Sequence, residues 1–235
     1  MKLRTQSIQF KLLATGLLSV LLPLAVVGYF SVTRSSEALM SLSQEKAQTT
    51  AADLAGLVGH MLNAEIEVSK ALAANRETIK IMAKLAEGSE GNRQGLVQGL
   101  YEDLKYKFKG INAKEQYQGL YIADASGQIL TGILESGEEY NRVSVAANDD
   151  FTRAKQSGKA SLGEMIRSQA TSNLVVPISA PIFSSDNRFL GTAGLVLKAS
   201  YFTDLIPSRR SGETGYAFMV NSKGVLIAIP KPSIC

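Results

Sequence analysis

The chain has a single cysteine (Cys235) and a single histidine (His60). One cysteine rules out an internal disulfide. One of each also excludes zinc sites built from several His and Cys side chains, and leaves no Cys–His nucleophile pair within the body of the chain. G-x-S-x-G, H-E-x-x-H and P-loop patterns are all missing, which removes the common hydrolase, zinc-protease and nucleotide-phosphate signatures. The carboxylate pairs Glu138-Glu139 and Asp149-Asp150 fall in a loop and at a helix start. At the second place they more simply cap a helix and offset its positive end. The expectation is a chain with no catalytic residue, no metal ligand and no cofactor.

Charge of either sign is absent from residues 12–33, LLATGLLSVLLPLAVVGYFSVT. At ~1.5 Å per residue a helix of this length reaches roughly 30 Å, the thickness of a bilayer's hydrocarbon core. Pro23, Gly16 and Gly28 are residue types that membrane helices tolerate, and Tyr29 and Phe30 stand where aromatic rings favour the interface. Lys2, Arg4 and Lys11 precede the run, while only Arg34 and Lys46 follow closely. This bias puts residues 1–11 in the cytoplasm, residues 12–33 across the bilayer, and the rest outside. The apolar core is longer than that of a cleaved export signal, and no clear small-x-small site follows it. The three N-terminal cations take +3 of a net charge of +4. The remainder is close to neutral and gives no reason to expect nucleic acid as a partner.

Proline is absent from the next stretch, which reads as one long helix over residues 35–86. Leu54, Leu57, Val58, Met61, Leu62, Val68 and Leu72 recur at spacings of three and four and form one apolar stripe. The length suits a stalk rising from the membrane. His60 lies beside the stripe with no second ligand nearby, so a structural role is expected. EGSEGN (87–92) ends the helix, and a shorter amphipathic one follows with Val97, Leu100, Leu104 and Phe108 on one face.

The pattern then changes to strands. GLYIAD (119–124) and QILTGIL (128–134) flank a turn and read as a hairpin. A short helix is expected near 150–157. Three further strands are expected at 160–168, 174–183 and 189–199, with helices on one face of the resulting antiparallel sheet. YIADASGQIL (121–130) is echoed 97 residues later by FMVNSKGVLI (218–227), with Asp124 and Asn221 opening the turns and Gly127 and Gly224 supplying permissive backbone. The fold class is α+β: a transmembrane helix, a stalk helix, an antiparallel sheet module over 93–210, and the start of a second such module over 211–235. A lone hairpin is marginal in water, so the sequence reads as the front part of a longer protein with a second span and an output domain.

This layout resembles the extracytoplasmic region of double Cache (dCache) sensors, found in bacterial methyl-accepting chemotaxis proteins and sensor kinases. The resemblance covers about residues 10–230. It is carried by the span and long helix, by DDFTRAKQSGKASLGEMIRSQATSNLVVPISAPIF (149–183), by FLGTAGLVLKASYFTDL (189–205) and, most specifically, by SGETGYAFMVNSKGVLIAIP (211–230). It implies a PAS-like membrane-distal module, about 112–206 plus the long helix, that binds a small ligand. It also implies a homodimer whose stalk helices carry the signal inward, and a bacterial inner-membrane receptor with a periplasmic body. A kinase or cyclase output, or an anchored stalk without a ligand, are the other readings; a module without a cavity would favour the stalk.

Amino-acid-binding members of the family carry Arg-x-aromatic-aromatic at the short helix, then Tyr-x-Asp and a further Asp. Here Asn148 falls at the arginine place, Asp150 and Phe151 at the aromatic pair, Ile166 and Ser168 at Tyr-x-Asp, and Val196 at the last Asp. Only Phe151 fits. Asparagine cannot replace a bidentate cationic clamp on a carboxylate, so α-amino acid binding through that motif is not expected. The resemblance points instead to Tyr121, Phe151, Arg153, Lys155, Arg167 and Ser168 as ligand-binding residues. The positive charge of Arg153, Lys155, Lys159 and Arg167 suggests a small carboxylate. Two plainer alternatives stand beside this: a solvated basic helix face balanced by Asp149, Asp150 and Glu164, and Tyr121 as core.

Overall fold

The computed structural model describes residues 8–88, 92–111, 115–205, 217–221, 224 and 226–228. Two compact units divide the chain, Met1–Asp53 and Leu54–Cys235, and each is described by itself. In the first, helix α1 (Ile8–Ala73) begins and runs without interruption past Pro23. Its apolar side chains are exposed: Leu13 is 71% and Leu24 68% accessible. The mean hydropathy of the most apolar window is 2.1, and none of that window is buried. This helix is long and apolar enough to cross a membrane. Its hydroxyls turn back on the helix, Thr15 donating to the Lys11 carbonyl (2.8 Å), Ser19 to that of Gly16 (2.9 Å) and Thr33 to that of Tyr29 (2.8 Å). Backbone partners of this kind are what an apolar solvent demands of polar groups.

The second unit opens with the last turns of α1, whose inward positions are Glu65, Ser69, Leu72 and Ala73. The helix expected over 35–86 is two helices here. Asn75 leaves helical geometry (φ −65°, ψ 125°), and its side-chain oxygen accepts from the backbone N–H groups of Glu77 and Thr78, each at 3.1 Å. That N-cap starts α2 (Arg76–Ala86), because a side-chain acceptor at the first turn replaces the missing helical carbonyls. The inward positions change phase across the break, from Ser69, Leu72 and Ala73 to Thr78, Ile81 and Met82. After Gly88 (φ +77°) comes α3 (Arg93–Ile111), which buries Leu100, Leu104 and Phe108.

The sheet is formed by β1 (Tyr117–Asp124), β2 (Ile129–Leu134), β3 (Ser161–Leu162), β4 (Ile166–Arg167), β5 (Leu174–Phe183) and β6 (Phe189–Lys198). All pairs are antiparallel, in the order β2-β1-β6-β5-β3, with β4 also on β5. The β1–β2 turn closes where Gly127 donates to the Asp124 carbonyl at 3.0 Å, and the Asp124 carboxylate accepts from Ser126 and Gln128. Gly127 holds φ +86°, and a side chain there would strike the Ala146 backbone at 2.7 Å. The strand expected over 160–168 is split into β3 and β4. Between them Gly163 donates to the Pro177 carbonyl (2.7 Å) while a Cβ at Gly163 would crowd Pro177 and Asp150.

Both faces of the sheet are covered, which corrects the expectation of helices on one face only. On one face Leu72, Met82, Leu100, Leu104 and Phe108 of α1–α3 pack on Leu120, Ile122, Ile178, Ile182, Leu195 and Leu197. On the other, α4 (Asp149–Ser157) and the segment before it bring Tyr140, Val145 and Phe151 onto Tyr121, Ala123, Val175 and Val196. Burial on both sides explains why β5 and β6 read as unbroken apolar runs. Helix α5 (Ala199–Leu205) follows β6, and β7 (Met219–Val220) pairs with β8 (Leu226–Ala228). The β7–β8 turn repeats the first: Gly224 donates to the Asn221 carbonyl at 3.0 Å with φ +75°. Most of the expected second module lies outside the described residues.

Replacing Asn75 by alanine removes both cap bonds. We expect it to destabilise the second unit by ~1 kcal/mol, read by urea denaturation, with Asn75→Asp retaining most of the stability.

Candidate functional site

On the α4 face of the sheet the side chains leave a cavity of about 230 Å³. Its apolar wall is Val143, Val145, Ile166, Val175, Pro177 and Val196, and its polar groups are Tyr121, Tyr140, Ser144, Asn148, Arg167, Ser168 and Gln169. The strands alternate so that residues from one face of three different strands meet here: Tyr121 from β1, Val196 from β6, Val175 and Pro177 from β5. The β4–β5 loop supplies the rest and is braced by its own backbone. Ser168 donates to the Asn173 carbonyl and Ser172 to that of Ser168, both at 2.8 Å, and the Arg167 guanidinium reaches the Ser172 carbonyl at 2.6 Å. The Gln118 amide ties Thr171 to β1.

Of the six residues expected at the ligand site, Tyr121, Arg167 and Ser168 line the cavity. Phe151 is buried beside it and packs edge-on to Phe189 with centroids 6.3 Å apart. Arg153 and Lys155 stand elsewhere. Arg153 pairs with Asp149 at 2.9 Å, one helical turn away. Lys155 donates to the Ala125 carbonyl at 2.9 Å and lies 5.9 Å and 5.7 Å from the Phe151 and Phe189 ring centres. Both are correctly placed on α4 but on its outer side. Of the six positions that the family pattern singles out, Asn148, Ile166, Ser168 and Val196 line the cavity, while Asp150 and Phe151 do not. Tyr140, Val143 and Ser144 were missed. They lie in an irregular segment with no periodicity to read, held to β2 through the Tyr140 N–H on the Gly132 carbonyl (2.8 Å).

Asp150 departs furthest from expectation. It is fully buried rather than a solvated counter-charge, and the N-cap position belongs to Asn148. Ser179 donates to its Oδ2 at 2.6 Å, and the Tyr121 hydroxyl lies 3.3 Å from the same Ser179 oxygen. Burial raises the Asp150 carboxyl to about 6, with neighbouring Asp149 adding to the rise. Burial, and then the Asp150 charge, push the Tyr121 phenol well above its ordinary value. Burial also raises Tyr140, which a hydrogen bond with Ser168 partly offsets. Tyr121 itself lies over Gly194: a Cβ there would overlap the ring.

A second cleft, of about 490 Å³, is lined by Met61, Ala64, Glu65, Glu115, Gln116, Ser200, Tyr201 and Asp204. Glu65 is buried there and accepts from the hydroxyls of Tyr117 (2.5 Å) and Tyr201 (3.3 Å) and from the Gln116 amide (2.9 Å). Burial, then the Glu65 charge and hydrogen bond, lift Tyr201 to about 12. Among the described residues no cluster of His, Cys, Asp or Glu is arranged to hold a metal ion.

Two outcomes follow from this geometry. A carboxyl whose folded value is raised favours the fold when protonated. Its contribution is therefore complete below about pH 4 and is lost as pH rises through about 6. Asp150→Asn should flatten the pH dependence of unfolding free energy across that window, by at most roughly 3 kcal/mol, as measured by urea titrations at several pH values. Gly194→Ala should displace the Tyr121 ring and cost roughly 1–3 kcal/mol by overpacking, read in the same titrations.

The chain matches the Cache domain family, of the dCache type, over residues 34–234. No curated protein matches it. Among solved structures it is similar to the extracellular domain of the putative histidine kinase mmHK1S-Z2, with 20% identity and a TM-score of 0.61 over 82% of this chain and 74% of that one. It is also similar to the sensory domain of the Campylobacter jejuni chemoreceptor Tlp3 (CcmL) with isoleucine bound, at 13% identity and a TM-score of 0.53 over 80% and 73% of the two chains. The ligand-binding domain of the same receptor in complex with L-valine gives 14% identity, a TM-score of 0.53, and 80% and 73% coverage. At these identities the likeness speaks to the fold. With the family match across most of its length, the chain belongs to the Cache domain family of sensor modules.

Proposed function

We propose that this chain is the extracytoplasmic sensing region of a transmembrane chemoreceptor, and that it binds a small ligand in the cavity between the sheet and α4. The observation that carries this reading is the cavity itself: Asn148, Ile166, Ser168 and Val196, four of the six positions that align with the family's ligand motif, line one space. Sensor regions of histidine kinases and cyclases share this kind of module, and the reading of the site is the same for them. We read the module as a binding unit and not a catalyst. Residues 12–33 anchor it in the bacterial inner membrane, with the body in the periplasm. Leu39, Met40, Leu42 and Leu57 are 68%, 77%, 61% and 48% exposed on α1, which favours a second copy of that helix as partner and hence a homodimer.

The ligand is not an α-amino acid held in the family's usual way. That mode needs a cation facing the carboxylate and acids facing the amine, and Asn148, Ser168 and Val196 supply neither. With Arg153 and Lys155 outside the cavity, a small carboxylate rests on Arg167 alone among the charged side chains that line it.

The test is a thermal-shift screen of the full chain in nanodiscs against small metabolites, amino acids and carboxylates included. A binder should raise the melting temperature of the wild type and lose that effect in Val196→Phe, which fills the cavity from β6. A carboxylate binder should weaken about tenfold in Arg167→Ala, the scale of one charged hydrogen bond. Ligands whose shift survives Val196→Phe would place the binding site elsewhere and sink the proposal.

A further inference from the structure

Building on the reading of the cavity as a ligand site, we propose that Asp150, acting through Ser179, holds the Tyr121 hydroxyl as a hydrogen-bond acceptor, so that the site selects a ligand presenting an N–H or O–H donor to Tyr121. The argument begins with strand register. Tyr121 pairs with Gly194, and Gly194 pairs with Ser179. These three residues therefore stand in one row across β1, β6 and β5, on the same face of the sheet. The middle member has no side chain, so the Tyr121 ring lies down over it and its hydroxyl arrives 3.3 Å from Ser179 Oγ. Pro177, two residues along β5 on the same face, is part of the cavity wall, as is Tyr121 itself.

Proton counting fixes the direction of the chain. A serine hydroxyl has one proton to give. Ser179 gives it to the Asp150 carboxylate, at 2.6 Å. Toward Tyr121 it can then only accept, and the single phenolic proton is spent on it. What Tyr121 has left for a ligand is lone pairs. The groups around Asp150 leave this arrangement undisturbed. Asp149 on its own helix is paired with Arg153, Lys155 is on the Ala125 carbonyl, Tyr121 and Tyr140 approach from β1 and the segment after β2, and Ser179 from β5. Among the described residues no ion pair includes Asp150. If Asp150 takes up a proton it becomes a donor itself, Ser179 is released, and Tyr121 is free to donate. Its carboxyl value of about 6 puts that change within reach of mild acid.

Two measurements on the full chain in nanodiscs test this. The tyrosine Fermi doublet in ultraviolet resonance Raman spectra reports whether a phenol donates or accepts. Isolated as wild type minus Tyr121→Phe, it should have donor character near pH 8 and lose it near pH 5, and lose it at both in Asp150→Asn. The wild-type difference between the two pH values repeats the test without any core variant. A doublet that is the same in all these states overturns the proposal, whatever the cavity binds. The second measurement compares N-methylacetamide with N,N-dimethylacetamide by ligand-observed NMR. The first should bind about tenfold more tightly near pH 8, the scale of one hydrogen bond, and the preference should vanish in Asp150→Asn. Equal binding of the two would overturn the selectivity. Absence of binding by both would overturn the selectivity as well, while the Raman signature and the metabolite screen judge the polarity of Tyr121 and the cavity separately.

Discussion

The cavity side of the sheet depends on a missing side chain. Gly194 lies in the middle of β6, the strand that pairs with both β1 and β5. Any Cβ there would occupy the space of the Tyr121 ring. Because the ring lies flat across β6, it forms part of the cavity lining and delivers its hydroxyl to Ser179 and, through it, to Asp150. Tyr140 stacks edge-on against the same ring at 5.6 Å, which brings the segment after β2 into the wall. One trough in one strand thus sets the shape of the site and the polarity of its hydrogen bonds.

The neighbouring residue links that site to the other face. Ala193 points toward the helices, and its carbonyl accepts from Ser69 of α1 at 3.3 Å. Four residues earlier on the same helix, Glu65 gathers Tyr117 at the start of β1, Gln116 before it, and Tyr201 of α5. A buried carboxylate is tolerable only when hydrogen bonds replace its water, and three donors do so here. α1 is therefore held to the sheet by directional bonds as well as apolar contact. Gly194, under the Tyr121 ring, is thus adjacent to a residue bonded to α1.

Much of this architecture was legible in the sequence. The β5 and β6 runs matched almost residue for residue, since burial on both faces leaves an unbroken apolar signature. The β1–β2 hairpin and its repeat at β7–β8 were readable because Asp124–Gly127 and Asn221–Gly224 carry turn chemistry at fixed spacing. The break at Asn75 is marked by the capping residue and by a shift of the inward positions, from Ser69, Leu72 and Ala73 to Thr78, Ile81 and Met82, and the expectation of one long helix passes over both. The polar positions Glu65 and Ser69 were invisible as inward residues because a stripe of apolar residues does not announce that two of its members are polar and partnered. The division of 160–168 follows from Gly163 fitting against Pro177 and Asp150, a tertiary fact. Arg153 and Lys155 fall on the expected helix but do not line the cavity, as the alternative of a solvated basic face has it; α4 is short, with few apolar residues to fix its phase.

Asp150 is the position where local reasoning fails most and where the site is most particular. At the first turn of a helix an aspartate belongs, by propensity and by the helix dipole, at the solvent-facing edge, as Asp149 is. Its neighbour is instead turned into the core, with Ser179 as a side-chain donor and, among the described residues, no ion pair. Burial that lifts its carboxyl to about 6 means that the folded state works against the charge at neutral pH. An asparagine would avoid that cost, but it would bring donors of its own and would no longer compel Ser179 to give up its proton. The carboxylate is the one side chain of that size that only accepts. The unfavourable burial and the fixed polarity of Tyr121 are thus two consequences of the same choice of residue, and they meet at the wall of the cavity, where a local inconsistency in an otherwise consistent fold most often has a functional reason.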